Sequence, residues 1–255
     1  MPRCREKTFV QVLIALLLLL ELALFVSIYT LAAVQGLIAF PQIYISRASQ
    51  FDPARAIAAY LLPLTAFIIA VVVGMRLNRI DPLLRTTREK RLWWASIVFL
   101  AGLILGTVGT AAVSIATQQW LHWVAATVLY VCGTLLVTAM TILDESVGLT
   151  QPGYLRKTRI VLTVLIWAMG ILFAVTAVWL SSVASVAELV ITALFILYFA
   201  TYAHTSEFEL KSTRLVVGYP ASVPPIDSSL CVSGLSLVTV RVSVSVCVWS
   251  GLCVN

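Results

Sequence analysis

The sequence is short of charged residues and of the side chains on which most enzyme active sites depend. Only 11% of its 255 residues are charged, against about 25% in a soluble domain. It has two histidines, and it contains no GxSxG, HExxH or Walker phosphate-loop motif. We therefore expect no catalytic residue, no cofactor and no metal site.

The sequence also gives little sign of β-structure or of disulfide cross-links. The alternation of polar and apolar residues that is typical of barrel strands is absent before residue 230. The five cysteines are scattered, and none lies in a segment that we place outside the cytosol. These absences favour an all-helical chain without an external disulfide framework.

What the sequence has in excess is apolar residues, which make up 61% of the chain and fall in long runs. About 20 apolar residues cross the hydrocarbon as a helix. We predict an all-α, polytopic six-transmembrane-helix bundle formed by residues 1–210, with spans at about 10–37, 57–76, 93–115, 120–143, 160–181 and 187–204. The first span follows a basic N-terminus, as a signal peptide does, but its apolar run reaches residue 40 and predicts an uncleaved helix.

Basic residues predict on which side of the membrane each loop lies. Fifteen of the 17 lysines and arginines belong to the N-terminus, the second loop, the fourth loop and the tail. The other two, Arg47 and Arg55, lie in the first loop. The positive-inside rule then places both termini in the cytosol. In this count Arg76 belongs to the second loop and Arg159 to the fourth.

The basic clusters also predict partners. Their positions beside apolar runs are typical of membrane topology and not of a nucleic-acid-binding face, so we expect no nucleic-acid partner. The second loop, residues 76–91, should be attracted to the anionic lipids of the cytosolic leaflet. Two alternatives stay open for this loop, a role in topology alone and contact with cytosolic proteins.

Residues 211–255 differ from the rest of the chain. From Ser212 onward helical periodicity is lost, and the segment is rich in valine, serine and cysteine. Its stretch "LVTVRVSVSVCVW" alternates like a strand, but an isolated strand cannot satisfy its backbone in lipid. We interpret this segment as a disordered or membrane-skimming cytosolic tail and assign it no function.

One acid, Glu21, lies in the middle of the first predicted span, within "LLLLLELALF". An ionised carboxylate is costly at that depth, so Glu21 should face the bundle, pair with another group or stay protonated. Two interpretations are open: a polar contact between helices, and a proton or ligand site.

Three glycines of the third span, Gly102, Gly106 and Gly109, recur at helical spacing. Gly102 and Gly106 form a GxxxG motif, and small residues at this spacing let two helix backbones approach closely. We predict that this face packs against a neighbouring helix.

Two further polar residues begin spans near the same, non-cytosolic end of the predicted bundle. His122 opens the fourth span and Glu188 the sixth. Together with Glu21, they are candidates for a pH-sensitive contact, a proton site or a lipid-headgroup site. The alternative is structural, with an interfacial histidine and a single interhelical hydrogen bond.

The order of these features resembles the damage-regulated autophagy modulator (DRAM) family, within the wider Frag/DRAM/Sfk group of six-helix membrane proteins. The similar stretches are "FPQIYIS" followed by "FDPARAIAAYLL", then "GLILGTVGTAAVSIATQQWLHW", and last "AELVITALFILYFATYAHTSEFEL". The residues that match the family's pattern are Tyr44, Ile45, Ser46, His122 and Glu188. The chain departs from the pattern at "SIATQQ", where the family has an Asn-Phe-Gln-like stretch, and in a very short fifth loop.

The resemblance implies a lysosomal or endosomal multi-pass membrane protein that promotes autophagy and has no established catalytic activity. Sister branches imply two other settings, phosphoinositide-kinase recruitment at the plasma membrane and remodelling of GPI-anchor lipids in the Golgi. The residues themselves leave a further alternative, a proton-coupled or lipid transporter in which Glu21, His122 and Glu188 form a relay.

Overall fold

The computed structural model describes residues 2–36, 44–113, 118–148, 153–177, 179 and 181–204 of the chain. Its α-helices are α1 Pro2–Val34, α2 Ile45–Ala48, α3 Ala54–Ile80, α4 Thr87–Ala112, α5 Gln119–Val147, α6 Gly153–Thr176 and α7 Ser181–Ala200. All except the four-residue α2 are long and apolar enough to cross a membrane. The predicted all-α fold with six spans is therefore confirmed. The predicted tail, 211–255, lies outside the described residues.

Each long helix begins before its predicted span, whereas α1, α4 and α6 end before theirs, at Val34, Ala112 and Thr176. The early start of α4 has a clear local cause. The sequence predicts this span from residue 93, whereas the helix begins at Thr87. A capping box explains the early start, because the Thr86 hydroxyl accepts the Glu89 N–H and the Glu89 carboxylate accepts the Thr86 N–H at 3.0 Å. Hydropathy detects only the apolar run that follows this polar first turn.

One end of every long helix lies in a common layer, which we call the basic end. Side-chain hydrogen bonds link these ends in the pairs Gln11–Ala203, Trp93–Leu77, Arg76–Asp144, Arg159–Asp144 and Arg159–Thr201. Because α1 starts and α7 ends in this layer, the two ends of the described bundle lie on one side. The compartment that this side faces stays a prediction from the positive-inside rule.

Two apolar cores fill the bundle. The larger core draws on most of the long helices and includes Leu17, Val73, Leu136 and Phe199, none of them more than 1% exposed. The smaller core lies toward the opposite end, where α2 places Ala48 beside the last turns of α1 and the first turns of α3. The short helix α2 therefore covers the opposite end of the α1–α3 pair.

Helices α4 and α5 pack closely along the glycine face of α4. A Cβ added to Gly106 would lie 2.6 Å from the Cα of Leu129, and one added to Gly109 would lie 2.9 Å from the Cβ of Ala125. A Cβ on Gly102 would overlap the side chain of Cys132. The absence of a side chain at these positions is what lets the two backbones approach. The neighbour that the glycine spacing requires is thus α5.

Candidate functional site

A buried ionic cluster lies at the centre of the basic end. Nη2 of Arg76 donates to Oδ1 of Asp144 at 2.5 Å, and Nη1 of Arg159 donates to Oδ2 of Asp144 at 2.9 Å. The three side chains are between 2% and 8% exposed. The expectation that Arg76 and Arg159 are loop residues is therefore wrong. Both lie inside helices, and a single carboxylate binds both guanidinium groups.

The ring of Tyr202 belongs to the same cluster. The Cζ atoms of Arg76 and Arg159 lie 4.3 Å and 4.7 Å from the centroid of this ring, within the range of cation–π contacts. Nε of Arg159 also donates to the hydroxyl of Thr201 at 2.9 Å. The turn that follows α7 is thereby attached to α3, α5 and α6.

Hydroxyl groups continue the polar contacts from this cluster toward the bundle interior. The hydroxyl oxygens of Thr141 and Tyr198 lie 2.9 Å apart, and that of Thr163 lies 3.0 Å from Thr141. The Tyr198 hydroxyl also donates to the carbonyl of Val137 at 3.1 Å. These bonds join α5, α6 and α7, so a polar seam accompanies their apolar packing.

Sequence reasoning missed the ionic cluster because it took each charged residue separately. Arg76 and Asp144 are 68 positions apart, and Asp144 and Arg159 are 15 apart. Which helices are neighbours cannot be derived from one sequence. A usable signal did exist, since each of these charges lies at the inner edge of an apolar run, where an ionisable group is expected to find a partner.

The opposite end contains the predicted residue Glu188. Its Oε2 accepts the backbone N–H of Ile45 at 3.1 Å, and the side chain is buried. Tyr29 of α1 and Tyr130 of α5 are near enough to this carboxylate to interact with it electrostatically. The Tyr130 hydroxyl lies 3.3 Å from that of Thr192, one turn after Glu188. The acid thus connects α7 to the start of α2.

The predicted loop motif surrounds this contact. Tyr44, Ile45 and Ser46 are half-buried, and the carbonyl of Ile45 accepts the hydroxyl of Ser49 at 2.9 Å. Gln35, after α1, donates to the carbonyl of Asp52 at 3.1 Å. The structure therefore brings the loop motif and Glu188 together, although they lie far apart in the sequence.

Glu21 lies inside the bundle, 7% exposed, with a hydrogen bond to the side chain of Thr65 on α3. Its Oε2 is buried without a hydrogen-bond partner in the part of the chain that the structure describes. Tyr130 interacts electrostatically with both Glu21 and Glu188.

His122 has a different partner. Its Nδ1 lies 2.8 Å from the carbonyl oxygen of Val113, at the end of α4. A carbonyl only accepts, so Nδ1 carries the proton in this contact. The side chain binds the end of α4 at the α4–α5 turn, while Glu188 binds Ile45. Among the described residues, no hydrogen bond joins His122 to Glu21 or Glu188, and the relay stays a prediction.

The described part of the bundle also contains potential metal ligands and open cavities. Across the described ranges, no three His, Cys, Asp or Glu side chains are grouped to hold a metal ion. An open cavity of about 650 Å³ is lined by Gln118, Gln119, Trp120, Trp123 and Val124, beside His122. Another, of about 540 Å³, lies between α6 and α7 and has an almost entirely apolar lining. Neither Glu21 nor Glu188 lines either of these two cavities.

Six apolar helices with polar clusters buried at two levels define a polytopic membrane protein. The chain belongs to the family described as the Frag1/DRAM/Sfk1/Cwh43P N-terminal domain, whose sequence pattern matches residues 9–205. The match includes all six membrane-spanning helices, the ionic cluster, Glu21 and Glu188. No curated protein and no solved structure matched the chain.

Proposed function

We propose that this protein is a non-enzymatic integral membrane regulator of autophagy and lysosomal function, resident in lysosomal or endosomal membranes. The observation that carries the proposal is the family match over residues 9–205, which extends across the whole helical bundle. Within the family, the order of motifs resembles the autophagy-modulator branch most.

The contacts of the polar residues support a regulatory bundle rather than an active site. Asp144 uses both carboxylate oxygens on Arg76 and Arg159, and Glu188 holds the start of α2. A general base or nucleophile needs a reacting group within hydrogen-bond reach. Here these two acids bind other parts of the same chain, and their role is to fix helices relative to one another.

Localisation and flux measurements test this proposal together. The endogenous protein carries a small tag, and its overlap with lysosomal, plasma-membrane and Golgi markers is measured alongside autophagic flux after depletion. We expect lysosomal overlap and reduced flux, restored by wild-type protein. Absence from lysosomes combined with unchanged flux would overturn the proposal, and plasma-membrane or Golgi residence would favour the sister branches.

A second candidate function, proton-coupled transport, is favoured by one observation. Glu21 is buried in the middle of α1, and one of its carboxylate oxygens has no hydrogen-bond partner among the described residues. Intramembrane acids often belong to proton pathways. In vesicles of purified protein, transport predicts proton flux down a pH gradient that Glu21→Gln abolishes. Equal proton leak with wild type, Glu21→Gln and protein-free vesicles would eliminate this candidate.

A further inference from the structure

The exposed surface of the basic end is strongly cationic. Six basic side chains with exposed positions form what we call the cationic rim: Arg85, Arg88, Lys90, Arg91, Arg156 and Lys157. Of the four acids with described side chains at this end, Glu89 and Asp144 are buried, and Glu145 pairs with Arg156. Asp81 is the fourth and is exposed. The rim therefore presents a clear excess of positive charge.

Glu89 offsets part of the rim charge near Arg85, with which it interacts electrostatically. Its Oε2 accepts the N–H groups of Arg85 at 2.6 Å and Thr86 at 3.0 Å. The only acid in the first turn of α4 is consequently directed back to its own backbone. Arg88 and Arg91, one turn apart, form no ion pair within the ranges that the structure describes, and the same holds for Lys157 on α6.

On α4 and on α6, a rim cation lies at the end of an exposed apolar face of the helix. On α4, Arg91 is followed on the same face by Trp94, Val98 and Leu105, which are 63%, 64% and 71% exposed. Spacings of three, four and seven residues keep these positions on one face. An exposed apolar stripe of this kind lies in hydrocarbon, and a tryptophan at its end marks the interface. Arg91 therefore lies at the depth of the headgroups.

Helix α6 repeats this arrangement. Lys157 is followed on its face by Val161, Val164 and Ile171, which are 54%, 61% and 58% exposed. Arg91 and Lys157 therefore lie on the lipid-facing sides of α4 and α6, each at the end of an exposed apolar stripe. A soluble protein would approach along the bundle axis, whereas a lipid headgroup lies beside the helix at this depth.

We propose that the cationic rim binds the phosphate groups of anionic phospholipids in the leaflet around the basic end. The positive charge of the rim is opposite in sign to that of the headgroups, and the rim lies at the same depth. Each cation near an anionic membrane surface favours binding. The tryptophans of the opposite end, including Trp120 and Trp179, are exposed without a comparable group of described cations. Among the described residues, the proposed lipid selection therefore belongs to the basic end. This inference concerns the rim alone and holds whichever organelle contains the protein.

Electron spin resonance of spin-labelled lipids tests the proposal. The full chain is reconstituted in phosphatidylcholine vesicles that contain a trace of spin-labelled phosphatidylserine or spin-labelled phosphatidylcholine. The relative association of the two lipids with the protein is measured from the motionally restricted signal. We expect phosphatidylserine to be preferred by about fivefold at rim positions and about twofold when averaged over the bundle surface. The preference should disappear in about 1 M salt, where screening acts over about 3 Å.

Matched variants locate the preference. The triple variant Arg88→Gln, Arg91→Gln, Lys157→Gln removes three rim cations of α4 and α6 for which the described ranges show no ion pair, and it should lose most of the preference. The variant Arg88→Lys, Arg91→Lys, Lys157→Arg should keep it, since the charge is unchanged. Arg55→Gln, which removes an exposed cation from the opposite end, should have no effect. Equal association of both lipids with wild type at low salt would overturn the proposal, and so would a preference that the triple glutamine variant leaves undiminished. Capture of a cytosolic protein by the rim without lipid preference would also overturn it.

Discussion

Glu188 near the start of α7 accepts the backbone N–H of Ile45, a residue that lies 143 positions earlier in the chain, at 3.1 Å. Both residues belong to stretches that resemble the family pattern, and the hydrogen bond gives their co-occurrence a physical reason. A buried N–H needs an acceptor, and here the acceptor comes from another helix. The contact attaches the short α2 to the opposite end of the bundle.

Removal of this acceptor should release the segment from residue 44 to residue 49. In Glu188→Ala the Ile45 N–H loses its partner, and we expect about tenfold faster amide hydrogen exchange there, because an unsatisfied buried donor costs about 1–3 kcal/mol. Glu188→Gln is the matched control, since its amide oxygen can still accept the bond. If the alanine and glutamine variants exchange equally fast, Glu188 does not hold α2.

Loss of the shared carboxylate in the ionic cluster should be strongly destabilising. Asp144→Ala leaves Arg76 and Arg159 buried without their common counter-charge, at a cost of about 3–5 kcal/mol. Thermal unfolding in detergent, followed by size-exclusion chromatography, measures the change. The neighbouring Glu145→Gln breaks only the exposed pair with Arg156 and should cost about 0–1 kcal/mol. Equal destabilisation by the two variants would contradict the central role of Asp144.

The addition of a single methyl group at Gly106 should push α4 and α5 apart. Gly106→Ala forces a Cβ against the Leu129 backbone, and we expect a loss of about 1–3 kcal/mol from this overpacking. Gly74→Ala in α3 is the control, because a Cβ there meets nothing within 4 Å. That control should be neutral or slightly stabilising, as alanine is the better helix former. Thermal unfolding of both variants decides the matter, and a harmless Gly106→Ala would refute the close contact.

Replacement of the mid-membrane acid, Glu21, distinguishes a structural role of this residue from a role in transport. Glu21→Leu removes a buried carboxyl group whose Oε2 has no hydrogen-bond partner in the described part of the chain, and burying a polar atom without a partner is unfavourable. We expect a chain that is at least as stable as wild type and that restores autophagic flux in depleted cells. Stable protein that reaches its membrane but fails to restore flux would instead assign Glu21 a functional role.

The sequence predicts the six-helix fold because length and hydropathy are enough to identify membrane spans. It also identifies Glu188 and the Tyr44–Ser46 loop through family resemblance, and the glycine face of α4 through spacing. It does not pair Asp144 with Arg76 and Arg159, because that pairing depends on which helices are neighbours. For the same reason the partner of His122 could not be predicted: this histidine binds the Val113 carbonyl rather than Glu188. Helix ends are missed where polar caps such as Thr86 extend a helix beyond its apolar run.

The bundle has six membrane-spanning helices, and we propose that its basic end faces the cytosol. In a chain whose own cysteines are replaced by alanine, Arg88→Cys, Arg156→Cys and Arg55→Cys are introduced one at a time. Cells are treated with a membrane-impermeant maleimide after selective opening of the plasma membrane, and again after full solubilisation. The account predicts that the first two variants react at once and that Arg55→Cys reacts only after solubilisation. Reaction of Arg88→Cys and Arg156→Cys from opposite sides of the membrane would contradict it.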